Sequence, residues 1–218
     1  MNVMPPPDRP AKPPADAGKI RIDQQLIADM VKSGTRVLEV GCADGALLDY
    51  LAVFKQVDGR GMEISQAGVN ACVSQGLSVI QGDADVDLVV YPSDAFDYVI
   101  LSRTLQAVKE PKVVLSELVR IGHRAIVSFA NFGHWRSRLH LAARGRMPVT
   151  DLLSEPWHET VNIRPCTLQD FLRLTEELGL TIEQGVILGS RGRPIDVQCG
   201  GAIANLIGEQ GIFTLSRG

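Results

Sequence analysis

The sequence predicts an α/β protein built on a doubly wound, mostly parallel sheet. Three observations carry that expectation. Short apolar runs alternate with amphipathic segments five times along residues 35–129, with connections long enough for parallel crossovers. A glycine-bearing turn, Glu39-Val40-Gly41-Cys42-Ala43-Asp44-Gly45, leads from the first apolar run into a helical pattern. Carboxylates stand at the ends of the next two runs, Glu63 and Asp83. Sheets of this class bind ligands in the crevice at the carboxyl ends of their strands.

The elements follow in order. Residues 22–32 read as a short leading helix, ended by the breaker pair Ser33-Gly34. Residues 35–40 are the first strand, and 46–54 an apolar helix. Residues 57–62 are a second strand, 65–74 a helix stopped by Gly76, and 77–81 a third strand. The acidic stretch 83–94 reads as a loop before the strand at 96–101, which is rich in β-branched and aromatic residues. Pro111 suits the first turn of a helix reaching Ile121, with Val113, Val114, Leu118 and Val119 on its buried face. A fifth strand spans 124–129.

Residues 131–165 break the rhythm. They carry Arg136, Arg138, Arg144 and Arg146 with no acidic residue before Asp151, which predicts an inserted basic helix and a loop. Thr167 and Asp170 have the spacing of a capping box, so a helix opens there, and Gly179 lies past its end. Residues 180–188 read as a further strand, 189–201 as a glycine-rich mobile stretch, and 203–215 as weak apolar runs.

Composition excludes several classes. Apolar residues make up 45% and charged residues 22% of the 218, ordinary values for a globular chain. The 22 Lys and Arg against 25 Asp and Glu give a net charge of −3, which argues against a nucleic-acid partner. No apolar run approaches the ~18 residues of a membrane span, so no membrane partner is expected. Residues 1–19 form a proline-rich stretch expected to be a disordered tail, and the remaining 20–218 a single domain. That stretch lacks the apolar core of a secretory signal, so a cytoplasmic location is expected. Cys42, Cys72, Cys166 and Cys199 lie far apart, which predicts reduced thiols and no metal site.

The turn at residues 39–45 carries the chemistry. Small residues let the backbone approach a ligand, and the helix start offers free N–H donors. A dinucleotide wants G-x-G-x-x-G, with pyrophosphate on the helix start. Here the middle glycine is Ala43 and the final one Ala46. A nicotinamide-linked oxidoreductase is therefore a poor match. S-adenosylmethionine has no phosphate. It needs backbone carbonyls and carboxylates for its ammonium, and acids for its ribose. Glu39, Glu63 and Asp83 meet that need from three successive strand ends.

With these residues in view, the turn resembles motif I of the class I S-adenosylmethionine-dependent methyltransferases. It is closer still to the methionine biosynthesis protein MetW family. Gln81-Gly82-Asp83, Tyr98 to Ser102, Thr104 to Val108 and Asn131 to Arg136 resemble that family's blocks. So do Arg144 to Thr150, and Asn162-Ile163 with Cys166-Thr167. The resemblance covers residues 20–188. It implies a class I methyltransferase fold with a seven-stranded sheet and a role in methionine biosynthesis. It also implies S-adenosyl-L-methionine or S-adenosyl-L-homocysteine as cofactor, and homoserine O-acyltransferase, acetyl or succinyl, as partner. The implied cofactor residues are Glu39, Gly41, Ala43, Gly45, Glu63, Ile64, Asp83, Ala84 and Ser102.

Three positions depart from the family pattern. Ala43 replaces a glycine: it strains the turn if that position needs φ > 0, and otherwise its methyl crowds the ligand. Ala130 replaces a proline, and Arg164-Pro165 replaces a His-Leu pair. Acceptor-side candidates follow the fourth and fifth strands: Ser102, Arg103, Gln106, Asn131, His134, Trp135, His158 and Asn162. His134 and His158 are the candidate bases, although helix histidines more often serve packing or solvation. Trp135 reads more readily as a core anchor than as an adenine platform, and Cys42 as a packing residue. A free-standing methyltransferase acting on a small molecule is the alternative function.

Overall fold

A computed structural model describes residues 20–149, 155–161 and 163–218. The tail expected at 1–19, together with Thr150 and Asn162, lies outside the described residues. The first half of the chain alternates as expected: α1 (Ile22–Met30), β1 (Arg36–Val40), α2 (Ala46–Lys55), β2 (Asp58–Glu63), α3 (Gln66–Ser74) and β3 (Val79–Gln81). Then come β4 (Phe96–Ser102), α4 (Pro111–Ile121), β5 (Gly122–Ala130) and α5 (Trp135–Arg144). The chain continues through α6 (Leu168–Glu177), β6 (Leu180–Leu188), β7 (Pro194–Ile195), α7 (Ala202–Ile207) and β8 (Gln210–Arg217).

The strands form one sheet in the order β3-β2-β1-β4-β5-β8-β6-β7. Strands β1 to β5 pair in parallel, and β8 runs antiparallel between β5 and β6. The reversal of order between β1 and β4 creates the crevice where such sheets bind ligands. The sheet has eight strands rather than seven, because β7 adds a two-residue edge against Ile187 and Leu188. That edge falls inside the stretch read as glycine-rich and mobile, which also holds a 3-10 turn at Ser190–Gly192. A second 3-10 turn, Asp87–Val90, lies within the acidic stretch read as loop. The weak apolar runs of 203–215 divide into α7 and β8, elements that periodicity alone does not separate over so few residues.

Two apolar layers sandwich the sheet. Val114, Leu118, Val119, Phe129, Phe171 and Phe213 belong to the layer under α4 and α6, whereas Val113, expected on the same buried face, faces solvent because the helix buries Val114, Leu115 and Leu118 instead. Ile27, Leu47, Leu51, Ile100 and Ile212 belong to the layer under α1 and α2. Local signals placed the helices. Pro111 opens α4, and the Thr167–Asp170 capping box closes in both directions at the start of α6. Such a cap contributes about 1 kcal/mol. Together these layers hold the carboxyl ends of β1, β2 and β4 side by side.

Candidate cofactor site

The turn after β1 is held by its own backbone. Gly41 donates its N–H to the Met62 carbonyl at 2.8 Å, so the turn lies against the end of β2. Gly41, Ala43 and Gly45 all have positive φ, at 73°, 50° and 80°. Two of the three are glycines, for which this costs little. Ala43 is not, and an L-residue in this region is strained by about 1–2 kcal/mol. A Cβ on Gly41 would lie 2.4 Å from Thr104 Oγ1, so the loop after β4 closes directly over the turn.

Glu63, the last residue of β2, offsets that strain. Its Oε2 accepts the Ala43 N–H at 2.9 Å and its Oε1 accepts the Ser65 N–H at 2.9 Å. The carboxylate is buried, and hydrogen bonds to an ionised group are the strong kind. Each oxygen retains a further lone pair for a ligand hydroxyl.

Glu39 and Ser102 end this edge differently. Three buried side-chain atoms among the described residues lack a hydrogen-bond partner: Glu39 Oε2 and Ser102 Oγ here, and Asn205 Oδ1 in α7. An unmet buried polar group costs about 1–3 kcal/mol, so native chains rarely keep two on adjacent strands without a use. Burial raises the Glu39 carboxyl to about 8; Asp44 and Glu63 add to the rise, and Arg21 opposes it. A cation placed at Glu39 would relieve both the missing contact and the burial.

The remaining predicted residues divide. Ile64 is exposed beside Glu63, and Gln81 donates to its carbonyl at 3.2 Å. Asp83 Oδ1 accepts the Asp85 N–H at 2.9 Å, and Ala84 packs against the core. His134 is buried at the start of α5, with Nε2 4.0 Å from Glu209 Oε1; burial lowers its basicity. His158 is exposed and faces its neighbours, 3.7 Å from Glu159 and ring to ring with Trp157.

Two acceptor-side candidates have structural work instead. Asn131 donates to the Asn205 and Gly208 carbonyls at 2.9 and 2.7 Å and accepts from Gly133 and Leu168. That exhausts its donors and ties α6 and α7 to β5. Gln106 donates to the Ala130 carbonyl at 3.1 Å. Trp135 is no core anchor: it is 44% exposed because α5 buries only Ser137, and the Arg136 guanidinium lies 5.5 Å from its ring. Cys42 is the packing residue expected, with Sγ 3.9 Å from Cys72 Sγ and its thiol pushed up by burial. Asp23, Arg191, Glu209 and Gln210 were invisible in the sequence. The Asp23–Gln210 contact joins residues 187 positions apart, and no local pattern signals it.

Comparison with known proteins gives the family and the fold. The family described as methionine biosynthesis protein MetW matches residues 21–215. The bifunctional methionine biosynthesis protein MetXA/MetW of Rhodopirellula baltica is 33% identical over 176 residues, which are 77% of this chain and 28% of that protein. A fatty-acid O-methyltransferase of Mycolicibacterium smegmatis is 36% identical over 107 residues, covering 47% of this chain and 38% of that one. The chain thus spans well under half the length of both. A TehB-like SAM-dependent methyltransferase from Corynebacterium glutamicum has the same fold, with a TM-score of 0.59 at 20% identity over 92% of this chain and 89% of that one. The chain belongs to the MetW family and has the class I methyltransferase fold.

Proposed function

We propose, from that membership, that the chain binds S-adenosyl-L-methionine or S-adenosyl-L-homocysteine and serves methionine biosynthesis beside a homoserine O-acyltransferase. One observation carries the cofactor reading: Glu39 Oε2 and Ser102 Oγ are buried and unpaired on the neighbouring strands β1 and β4. They fit the amino-acid end of the cofactor, with Glu39 taking the ammonium, while the missing side chain of Gly41 makes room for Thr104. Glu63 would take the ribose hydroxyls on the lone pairs its backbone contacts leave free. Ile64 offers an apolar surface to the adenine, and Asp83 with Ala84 an edge to its amino group. Ala43 and Gly45 shape the turn and the start of α2. When bound, S-adenosyl-L-methionine supplies an activated methyl group. The chain aligns an acceptor and removes its proton. His134, whose basicity burial lowers, and the exposed His158 are the candidate bases.

The partner reading rests on a different surface. Residues 20–218 act as one domain carrying 131–165 as an insertion, with Trp135, Leu139, Leu141 and Met147 exposed among its arginines. That surface is more than a minimal methyltransferase needs. The relative combining MetXA with MetW supports an association between this family and a second activity of the pathway. Mixing the purified chain with homoserine O-acyltransferase should give a complex on size exclusion and raise acyltransferase activity. Separate elution with unchanged activity overturns the partnership.

A free-standing methyltransferase acting on a small molecule is the second reading, favoured by the likeness to a fatty-acid O-methyltransferase. In neither reading is a nucleic acid or a membrane a partner. No described helix is long and apolar enough to cross a membrane.

A further inference from the structure

A cavity of about 170 Å³ opens at Arg103, the residue after Ser102 at the end of β4. It lies between the start of α1, the residue after β4, the turn after β6 and the start of β8. Asp23, Arg103, Arg191, Glu209 and Gln210 line it, with Leu188 among the apolar contacts. On the ~30 Å³ that a water occupies in the liquid, it holds about five or six non-hydrogen atoms.

Two guanidinium groups and two carboxylates line it, and Arg21 and Arg136 bring two more guanidinium groups to those carboxylates from outside the lining. Asp23 is buried and already shared: Arg21 Nε lies at 3.1 Å, Arg103 Nε at 3.3 Å and Gln210 Nε2 at 3.3 Å. One carboxylate therefore faces two guanidinium groups. Glu209 accepts the Ser190 hydroxyl at 3.0 Å and has Arg136 at 3.9 Å. Arg191 has no hydrogen bond or ion pair among the described residues, so its guanidinium is left free for an anion.

The backbone sets both lining arginines in place at a cost. Arg103 and Arg191 have φ of 59° and 64°, two of only five non-glycine residues with positive φ among those described. Such positions persist where the surroundings hold them, and they cluster at ligand sites. The Arg103 N–H is held by the Ser128 carbonyl at 2.9 Å and by its hydroxyl at 3.1 Å. Ser190 ties the Arg191 turn to Glu209.

We propose that this cavity is a carboxylate subsite, in which the guanidinium groups of Arg103 and Arg191 take the carboxylate of a small organic ligand. The planar fork of arginine matches a carboxylate in two parallel hydrogen bonds. The carboxylate comes from a separate small acid or from the amino-acid end of the adenosyl cofactor. Only the second source rests on the cofactor reading above.

Ligand-observed NMR on the full chain, with butyrate and its neutral isostere butyramide, tests the assignment. Butyrate should bind at least tenfold more tightly than butyramide. Arg191→Gln should weaken butyrate about tenfold with an unchanged melting temperature, since its side chain holds nothing else in the fold. Arg103→Gln should weaken it further. Glu63→Ala should leave butyrate binding intact, so loss of the cofactor site and loss of this subsite are separable. Displacement of butyrate by S-adenosyl-L-homocysteine assigns the carboxylate to the cofactor, and simultaneous binding assigns it to a second ligand. Equal binding of butyrate and butyramide, no binding of either, or unchanged butyrate affinity in both arginine variants overturns the proposal.

Discussion

The turn after β1 and the helix after β5 both follow strands of one sheet, yet they are built in opposite ways. At the turn, polar atoms are buried and apolar surface is scarce. Glu39 and Glu63 are 2% and 8% exposed, and the backbone is strained around them. At α5 the apolar side chains are outside. Trp135, Leu139 and Leu141 are exposed and the helix buries one serine. Buried polar groups without partners suit a small polar ligand, which can meet each atom individually. Exposed aromatic and aliphatic side chains rimmed by arginine suit a macromolecular surface. The difference teaches that a buried polar turn and an exposed apolar helix can follow strands of the same sheet, each suited to a different kind of partner.

The largest effect should come from the turn. Glu63→Ala removes two charge-assisted bonds, to Ala43 and Ser65, and at roughly 1.5 kcal/mol or more each should lower unfolding free energy by about 3 kcal/mol. Denaturant titration measures this, and a loss below about 1 kcal/mol would show that Glu63 does not hold the turn. At α5 the pattern should reverse. Trp135→Ser combined with Arg136→Glu should leave stability within about 0.5 kcal/mol, while lowering affinity for homoserine O-acyltransferase by about 2 kcal/mol, roughly thirtyfold. Biosensor titration of the pair reads that affinity, and an unchanged value would move the attachment surface elsewhere.

A pH series sharpens the contrast. Glu39 in the folded chain is raised to about 8 by burial, from the 4.5 of an ordinary glutamate. The folded state therefore holds a proton that the unfolded state has released in that window. Its stabilising contribution is complete below about pH 4.5 and is lost as pH rises toward 8. Relative to Glu39→Gln, the parent chain should lose stability between pH 5 and 8 by about 1 kcal/mol per unit. Parallel pH profiles for the two proteins would remove Glu39 from that role. The smallest effect is at Ala43. Its φ of 50° should make Ala43→Gly more stable by about 0.5–1 kcal/mol, a gain of a few degrees in Tm. A lower Tm would mean that the turn relaxes around the alanine.

The same contrast governs how much could be read in advance. The turn was legible because its information is local. Spacing placed Glu39, Gly41, Gly45 and Glu63 at adjacent strand ends, and the strain at Ala43 was the expected consequence of an alanine at positive φ. Helix caps such as Thr167 with Asp170 were legible for the same reason. What could not be read depends on distant pairing. The register of β8 against β5 decides that Glu209 and Gln210 reach the start of α1. A short apolar run does not disclose that register. Nor could periodicity show that Trp135 faces outward, because its spacing from Leu139 fits a buried stripe as well as an exposed one.

Calorimetric titration of S-adenosyl-L-methionine into the full chain at pH 8, beside Glu63→Ala, tests the central claim most directly. The account predicts saturable heat for one site in the parent chain and none in the variant. No heat in the parent, or equal affinity in both, would contradict it.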